Sequence, residues 1–210
     1  MSVPALARVH SWPQAGQAAL NELRTARGWT VISVPLASAC PRLVARERIR
    51  LALRESIAAF FELPLLSVAL SERPGQALVL DDPQRTIGLS VSHASGLSLA
   101  ALHVHGTIGV DLMELPPSPL AMPDLERVSS DYLGPAVCKR LSTLPAAQRA
   151  GAFVHEWTRY EAQLKCLGMA LTEWSATLER QLSICQIHAM DLPAPLHASV
   201  AVRRVAGMQL

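Results

Sequence analysis

Aromatic residues are scarce in this chain, with three Phe, two Tyr and four Trp among 210 residues. A core must therefore be built mainly from Leu, Ala and Val. Half of the residues are apolar, enough for one well-buried domain or two small lobes. An excess of one charge sign is also missing. The formal net charge is +2, which leaves no dense basic surface of the kind that binds nucleic acid; an anionic partner would have to meet a local patch. The four cysteines, Cys40, Cys138, Cys166 and Cys185, are scattered and form no CxxC pair. A chain of this size needs no disulfide staples, so the thiols are expected to be reduced and the protein cytosolic. The opening MSVPALARVHSWPQ holds no apolar stretch of signal-peptide length. No run approaches the ~18–20 apolar residues that span a bilayer, so no membrane role is expected. Repeats and low-complexity tracts are missing as well.

The first periodic segment runs from about Leu43 to Leu63. Ile49, Leu53, Ile57, Phe60 and Phe61 recur at helical spacing, Pro41 suits the start and Pro64 the stop. Arg42, Arg46, Arg50 and Arg54 recur every four residues and form a basic stripe on the same helix. A strand-rich block follows. LLSVAL and QALVL flank SERPG, which reads as a hairpin turn. IGLSVSH, LSLAALHV and TIGVDLM read as further strands joined by tight turns, hence antiparallel. ELPPSPLAMP, residues 114–123, holds four prolines and reads as a linker. Beyond it, a long helix is expected from about Pro145 to Gly168, then the weaker strands LSICQIHAM and HASVAVR. Each half thus reads as helix first and strands after, an α+β unit in duplicate. The expected division is an N-terminal lobe of residues 1–113, the linker 114–123, and a C-terminal lobe of residues 124–210.

Four constellations could carry chemistry. Ser92 and His93 end a predicted strand beside a Gly-containing turn, where a hydroxyl, an imidazole and free amides suit phosphate oxygens. Asp111 lies inside an apolar strand, a costly place for a carboxylate unless it is paired or binds a metal. Phe153, Trp157, Glu161 and Lys165 share a helix face at four-residue intervals. The arginine stripe is the fourth. Each has an ordinary structural explanation when read alone: a satisfied strand-end histidine, a turn aspartate, a surface salt bridge, a solvated face. Glu114 points away from the face shared by Asp111 and Met113, because side chains alternate along a strand.

Taken in order, IGLSVSHASG, GVDLM and EWTRYEAQLKCLG resemble the N-x-S-H, G-[IV]-D-x-E and W-[ST]-x-K-E-A-x-x-K segments of the 4′-phosphopantetheinyl transferases. The chain is most similar to the two-lobed class that activates surfactin synthetase. The similarity extends from the RxxLR of Arg50 to Arg54 through HASVAV, leaving about the first forty residues unmatched. The resemblance implies a pseudo-dimer of two similar α+β lobes, each a long helix packed on a small antiparallel sheet, with coenzyme A in the cleft between them. It implies transfer of the phosphopantetheine arm of coenzyme A to a serine of an apo acyl or peptidyl carrier protein, releasing 3′,5′-ADP, by a monomer. Asp111 and Glu161 would hold Mg²⁺. Glu161 would act as general base, and Lys165 would neutralise phosphate charge. Ser92, His93, Arg46, Arg50, Gly75 and Gln76 would contact coenzyme A. Four positions depart from the family pattern: Ser90 stands for the usual Asn, Met113 for the second acid, Tyr160 for the lysine before the glutamate, and Gln76 for a turn lysine. They leave a second expectation open, a catalytically impaired relative that binds coenzyme A or a carrier protein without transfer.

Overall fold

In a computed structural model the described residues are 6–71, 78–82, 85, 87–117 and 124–204. The chain is α+β, with several helices around small sheets. The first forty residues, which carry no family motif, supply a central part of it. Strand β1 (His10–Ser11) precedes helix α1 (Gly16–Leu23), which buries Gly16, Ala19, Leu20 and Leu23 at helical spacing. Strand β2 (Trp29–Pro35) is rich in β-branched residues and buried on both faces through Ile32 and Ser33.

Helix α2 (Arg42–Phe61) lies close to the expected span, with Glu62 in the left-handed conformation ending it before Pro64. Its buried residues Ala45, Ile49, Ala52, Leu53 and Ile57 form the inner stripe. The next segment differs from the strand read in LLSVAL. Leu65–Ser67 is a single 3-10 turn, and only Leu70–Ser71 (β3) pairs, with Val79–Leu80 (β4). Leu65, Leu66 and Ser67 are exposed, so no buried alternation holds them extended. Instead Arg54 donates from Nε to the Val68 carbonyl at 2.8 Å and from a terminal nitrogen to that of Leu65 at 3.2 Å. The intervening turn, with Gly75 and Gln76, falls outside the described residues.

Strands β5 (Gly88–Ala94), β6 (Leu97–His103) and β7 (Gly106–Glu114) follow as expected. One sheet has the order β1-β2-β6-β5, with β1 and β2 parallel and the other pairs antiparallel. Strand β7 instead joins β9 (Leu196–Arg204), which also pairs with β8 (Gln186–Ala189), in an antiparallel sheet of order β7-β9-β8. Glu114, assigned to the linker by its prolines, still pairs with Leu196 as the last residue of β7.

After β7, α3 (Leu125–Val128) and α4 (Gly134–Thr143) lead to α5 (Ala146–Cys166), close to the predicted helix. Helix α6 (Ala176–Leu182) takes in the first residue of LSICQIHAM, and only Gln186–Ala189 of that segment pairs as strand. Helix α5 packs across β7 and β9. At Gly109 of β7 the backbones come so close that an added Cβ would strike the Ala162 carbonyl and the Cys166 nitrogen of α5. Among the described residues no helix is long and apolar enough to cross a membrane.

Candidate functional site

The edge of β7 opposite β9 faces β5, and serine hydroxyls stand there in place of ladder carbonyls. The Val110 N–H donates to Ser90 Oγ at 3.0 Å, and the Leu112 N–H to Ser92 Oγ at 3.1 Å. A backbone donor buried at a seam needs such an acceptor. Both serines are buried. The Ser92 hydroxyl in turn donates to Asp111 Oδ1 at 3.1 Å. Its proton is thus engaged by the carboxylate, and Ser90, where the family pattern has Asn, is a seam residue.

Asp111 is 5% exposed, so its charge must be compensated within the fold. Lys165, coming from α5, supplies that. Its ammonium donates to Asp111 Oδ1 at 2.6 Å and to the Val110 carbonyl at 3.2 Å, and lies 3.8 Å from Glu161 Oε2. Glu161 is therefore the outer member of a three-residue cluster rather than half of a surface pair. Burial, then the negative charge of Asp111, holds its carboxyl above the usual carboxylate range, against the opposing pull of Lys165 and a hydrogen bond from Trp157. Trp157 stacks on buried Phe153, with ring centroids 5.6 Å apart, so its edge is fixed beside Glu161.

A cavity of about 800 Å³ brings these groups together with the arginine stripe. Ser92, His93, Asp111, Glu161 and Lys165 line it, as do Arg42, Arg46 and Arg50. Arg42 had the same four-residue spacing as its neighbours and could have been named with them. Arg54, the last of the stripe, holds loop carbonyls. His93 shares a 2.7 Å hydrogen bond between Nδ1 and Ser98 Oγ. Burial, then Arg46, Arg42 and Lys165, lowers its pKa, so the ring is neutral near pH 7. Its Nε2 is buried without a partner among the described residues. Met113 is half-buried in the same wall. Tyr160 turns away: its hydroxyl donates to the Thr172 carbonyl, and burial pushes its pKa up to about 12.

Cations on one wall and two carboxylates on the other suit an anionic ligand that carries a divalent cation. Among the described residues no group of three or more His, Cys, Asp or Glu side chains is gathered for a metal, so protein ligation would rest on Asp111 and Glu161. Both are hard oxygen donors, and the mutual repulsion that raises Glu161 is what a bound cation would relieve.

The chain is 34% identical over 79 residues to HetI, a 4′-phosphopantetheinyl transferase of Nostoc sp.. That similarity supports the 4′-phosphopantetheinyl transferase family. The matched stretch covers 38% of this chain and 32% of the relative, so the chain spans about a third of that protein's length. No protein-family model matches the chain.

Proposed function

We propose that the chain is a 4′-phosphopantetheinyl transferase of the two-lobed class, moving the arm of coenzyme A to a serine of an apo acyl or peptidyl carrier protein. The observation that carries this reading is the convergence of Asp111, Glu161 and Lys165 with His93, Arg46 and Arg50 on one cavity. In this reading the pseudo-dimer relates the α2 and α5 halves of the chain, and coenzyme A occupies that cavity.

The chemistry needs positioning and charge compensation more than covalent help. The carrier serine oxygen attacks the phosphorus attached to the pantetheine arm. Its bond to the bridging oxygen breaks as a phosphodiester to serine forms, and 3′,5′-ADP departs with the electron pair. Glu161 takes the serine proton, a role suited to a carboxylate made more basic by burial and by Asp111. Lys165 compensates charge on the pyrophosphate oxygens and holds Asp111 in place. His93, neutral, donates a hydrogen bond to a phosphate oxygen, and Arg46 and Arg50 bind the 3′-phosphate. Mg²⁺ held by Asp111 and Glu161, when bound, supplies further neutralisation of the pyrophosphate.

Labelled coenzyme A, Mg²⁺ and a panel of apo fatty-acid, polyketide and peptidyl carriers test the proposal. Label on the serine of at least one carrier is the expected result. If no carrier is labelled while a transferase of known activity labels them all, transfer is excluded and binding alone is left.

A further inference from the structure

Two of the four cysteines, far apart in sequence from any CxxC pattern, meet in the fold. Cys166 ends α5, and Cys185 lies between α6 and β8. Both are buried in one small cluster with Ala162 and Ala201, and neither lines the candidate cavity. The Leu182 carbonyl sets their approach. It accepts the Gln163 side-chain amide of α5 at 2.9 Å and the Cys185 N–H at 3.1 Å, so the α6–β8 loop is held against the last turn of the helix. That turn is backed by β7, since an added Cβ at Gly109 would lie 2.4 Å from the Cys166 nitrogen. The loop is the looser partner: Ser183 is exposed and Ile184 is 52% exposed.

The two sulfurs are chemically unequal. The Cys185 thiol donates to the Cys166 sulfur, and the Thr107 hydroxyl lies 3.4 Å from that same sulfur. Arg203 shares a face of β9 with Ala201 and adds positive charge beside the pair. The hydrogen bond from Cys185, with those of Thr107 and the charge of Arg203, lowers the Cys166 thiol against the effect of burial; the same bond, then burial, raises Cys185. Cys166 is thus the nucleophile, and Cys185 keeps its proton next to it, the arrangement of an attacking and a resolving thiol. At 2% and 8% exposure the pair is closed to bulky disulfide reagents, which leaves a peroxide, little larger than water, as the oxidant. The Cys166 thiolate takes one peroxide oxygen, the O–O bond breaks, and the departing hydroxide picks up the proton that Cys166 released. The Cys185 sulfur then attacks the Cys166 sulfur, and the S–O bond breaks as the S–S bond forms. The hydroxyl leaves as water with the Cys185 proton. The two sulfurs together lose two electrons, and the peroxide is reduced to two waters.

We propose that Cys166 and Cys185 are a peroxide-oxidised pair whose reversible disulfide staples the α6–β8 loop to the turn of α5 that carries Lys165. The folded full chain is exposed to hydrogen peroxide, then denatured, alkylated with N-ethylmaleimide and mapped by peptide mass. The expected product is one Cys166–Cys185 cross-linked peptide, two hydrogens lighter than the reduced pair and returned to two alkylated thiols by dithiothreitol. Cys40 and Cys138, partly exposed and outside the cluster, should not enter it, so the doubly substituted Cys40→Ser, Cys138→Ser chain should form the same bond. Cys185→Ser should leave Cys166 as sulfenic or higher oxides without a cross-link. The bond restricts the unfolded chain between residues 166 and 185, so oxidation of the double variant should raise its melting temperature by about 5 °C or more. The proposal is overturned if Cys166 and Cys185 are both alkylated after peroxide, or if the cross-link forms only in urea-unfolded chain. A melting temperature unchanged or lowered by the bond overturns the staple as well. None of these readouts depends on carrier loading, so failure here leaves the transferase reading untouched.

Discussion

The ammonium of Lys165 sits 2.6 Å from Oδ1 of Asp111, joining helix α5 to strand β7 at the candidate site. The same ammonium is 3.8 Å from Glu161, so one cation serves two carboxylates. Asp111→Asn keeps the shape and removes the charge. Lys165 keeps the Val110 carbonyl and Glu161, so the fold should survive with a melting temperature within a few degrees of the parent. Carrier labelling should fall by at least about a hundredfold, the scale of losing one preorganised charge contact in a transition state. Glu161→Gln should do the same. Near-parental transfer in either variant removes that residue from its role.

Met113 lines the cavity beside Asp111, where the transferase pattern has an acid. Met113→Glu adds a third hard oxygen donor on the same strand face. The Mg²⁺ concentration for half-maximal labelling should fall in this variant. An unchanged Mg²⁺ titration means that position 113 does not reach the ion.

Much of this site was readable in the sequence because it depends on local periodicity. The four-residue spacing put Glu161 and Lys165 on one face, and strand alternation put Asp111 and Met113 on another. What could not be read was long-range pairing. Nothing local to TIGVDLM says that it pairs with HASVAVR rather than with LSLAALHV. The hydroxyls of Ser90 and Ser92 at the β5–β7 seam follow from that choice. Strand β2 was a different omission. Its WTVISV run carries strong β propensity, but it lay in a region without recognisable motifs. LLSVAL erred in the other direction, since apolar β-formers without a buried face to fill stay in a turn.

Ser92→Ala tests the seam. The Leu112 N–H would lose its acceptor in a buried position and Asp111 would lose a donor. A destabilisation of about 1–3 kcal/mol is expected from the orphaned amide, measured by urea unfolding. Ser92→Thr keeps the hydroxyl and should recover most of it. Equal stability of Ser92→Ala and the parent would mean that water replaces the hydroxyl at no cost.

His103 should make the protein acid-sensitive. Its folded-state pKa is about 4 against an ordinary value of 6.5, with burial the main cause. Between those pH values the unfolded chain binds the proton and the folded chain does not. The stability it contributes is thus full above about pH 6.5 and is lost as pH falls toward 4, by up to about 3 kcal/mol. His93, His188 and His197 are shifted in the same direction and add to the slope. Unfolding midpoints at pH 7.5 and 4.5 should differ less in His103→Asn than in the parent. The same difference in both would show that His103 protonates freely in the fold.

Two glycines separate packing from propensity at the site. Gly109 lies two residues before Asp111, and an added Cβ would strike the α5 backbone at Ala162 and Cys166, the residues following Glu161 and Lys165. Gly109→Ala must therefore push α5 away from β7, and with it the ammonium from the carboxylate. Backbone cannot move aside as a side chain does, so the expected cost is at the upper end of the ~1–3 kcal/mol of overpacking, with transfer lost as well. Gly151 is on the same helix, and a Cβ added there would meet nothing within 4 Å. Gly151→Ala should leave transfer unchanged and raise stability by about 0.5–1 kcal/mol through helix propensity. Thermal melts and carrier labelling of the two variants give opposite signs if the α5–β7 contact sets the site. Tolerance of Gly109→Ala in both assays would mean that the helix can withdraw without disturbing Lys165 and Asp111.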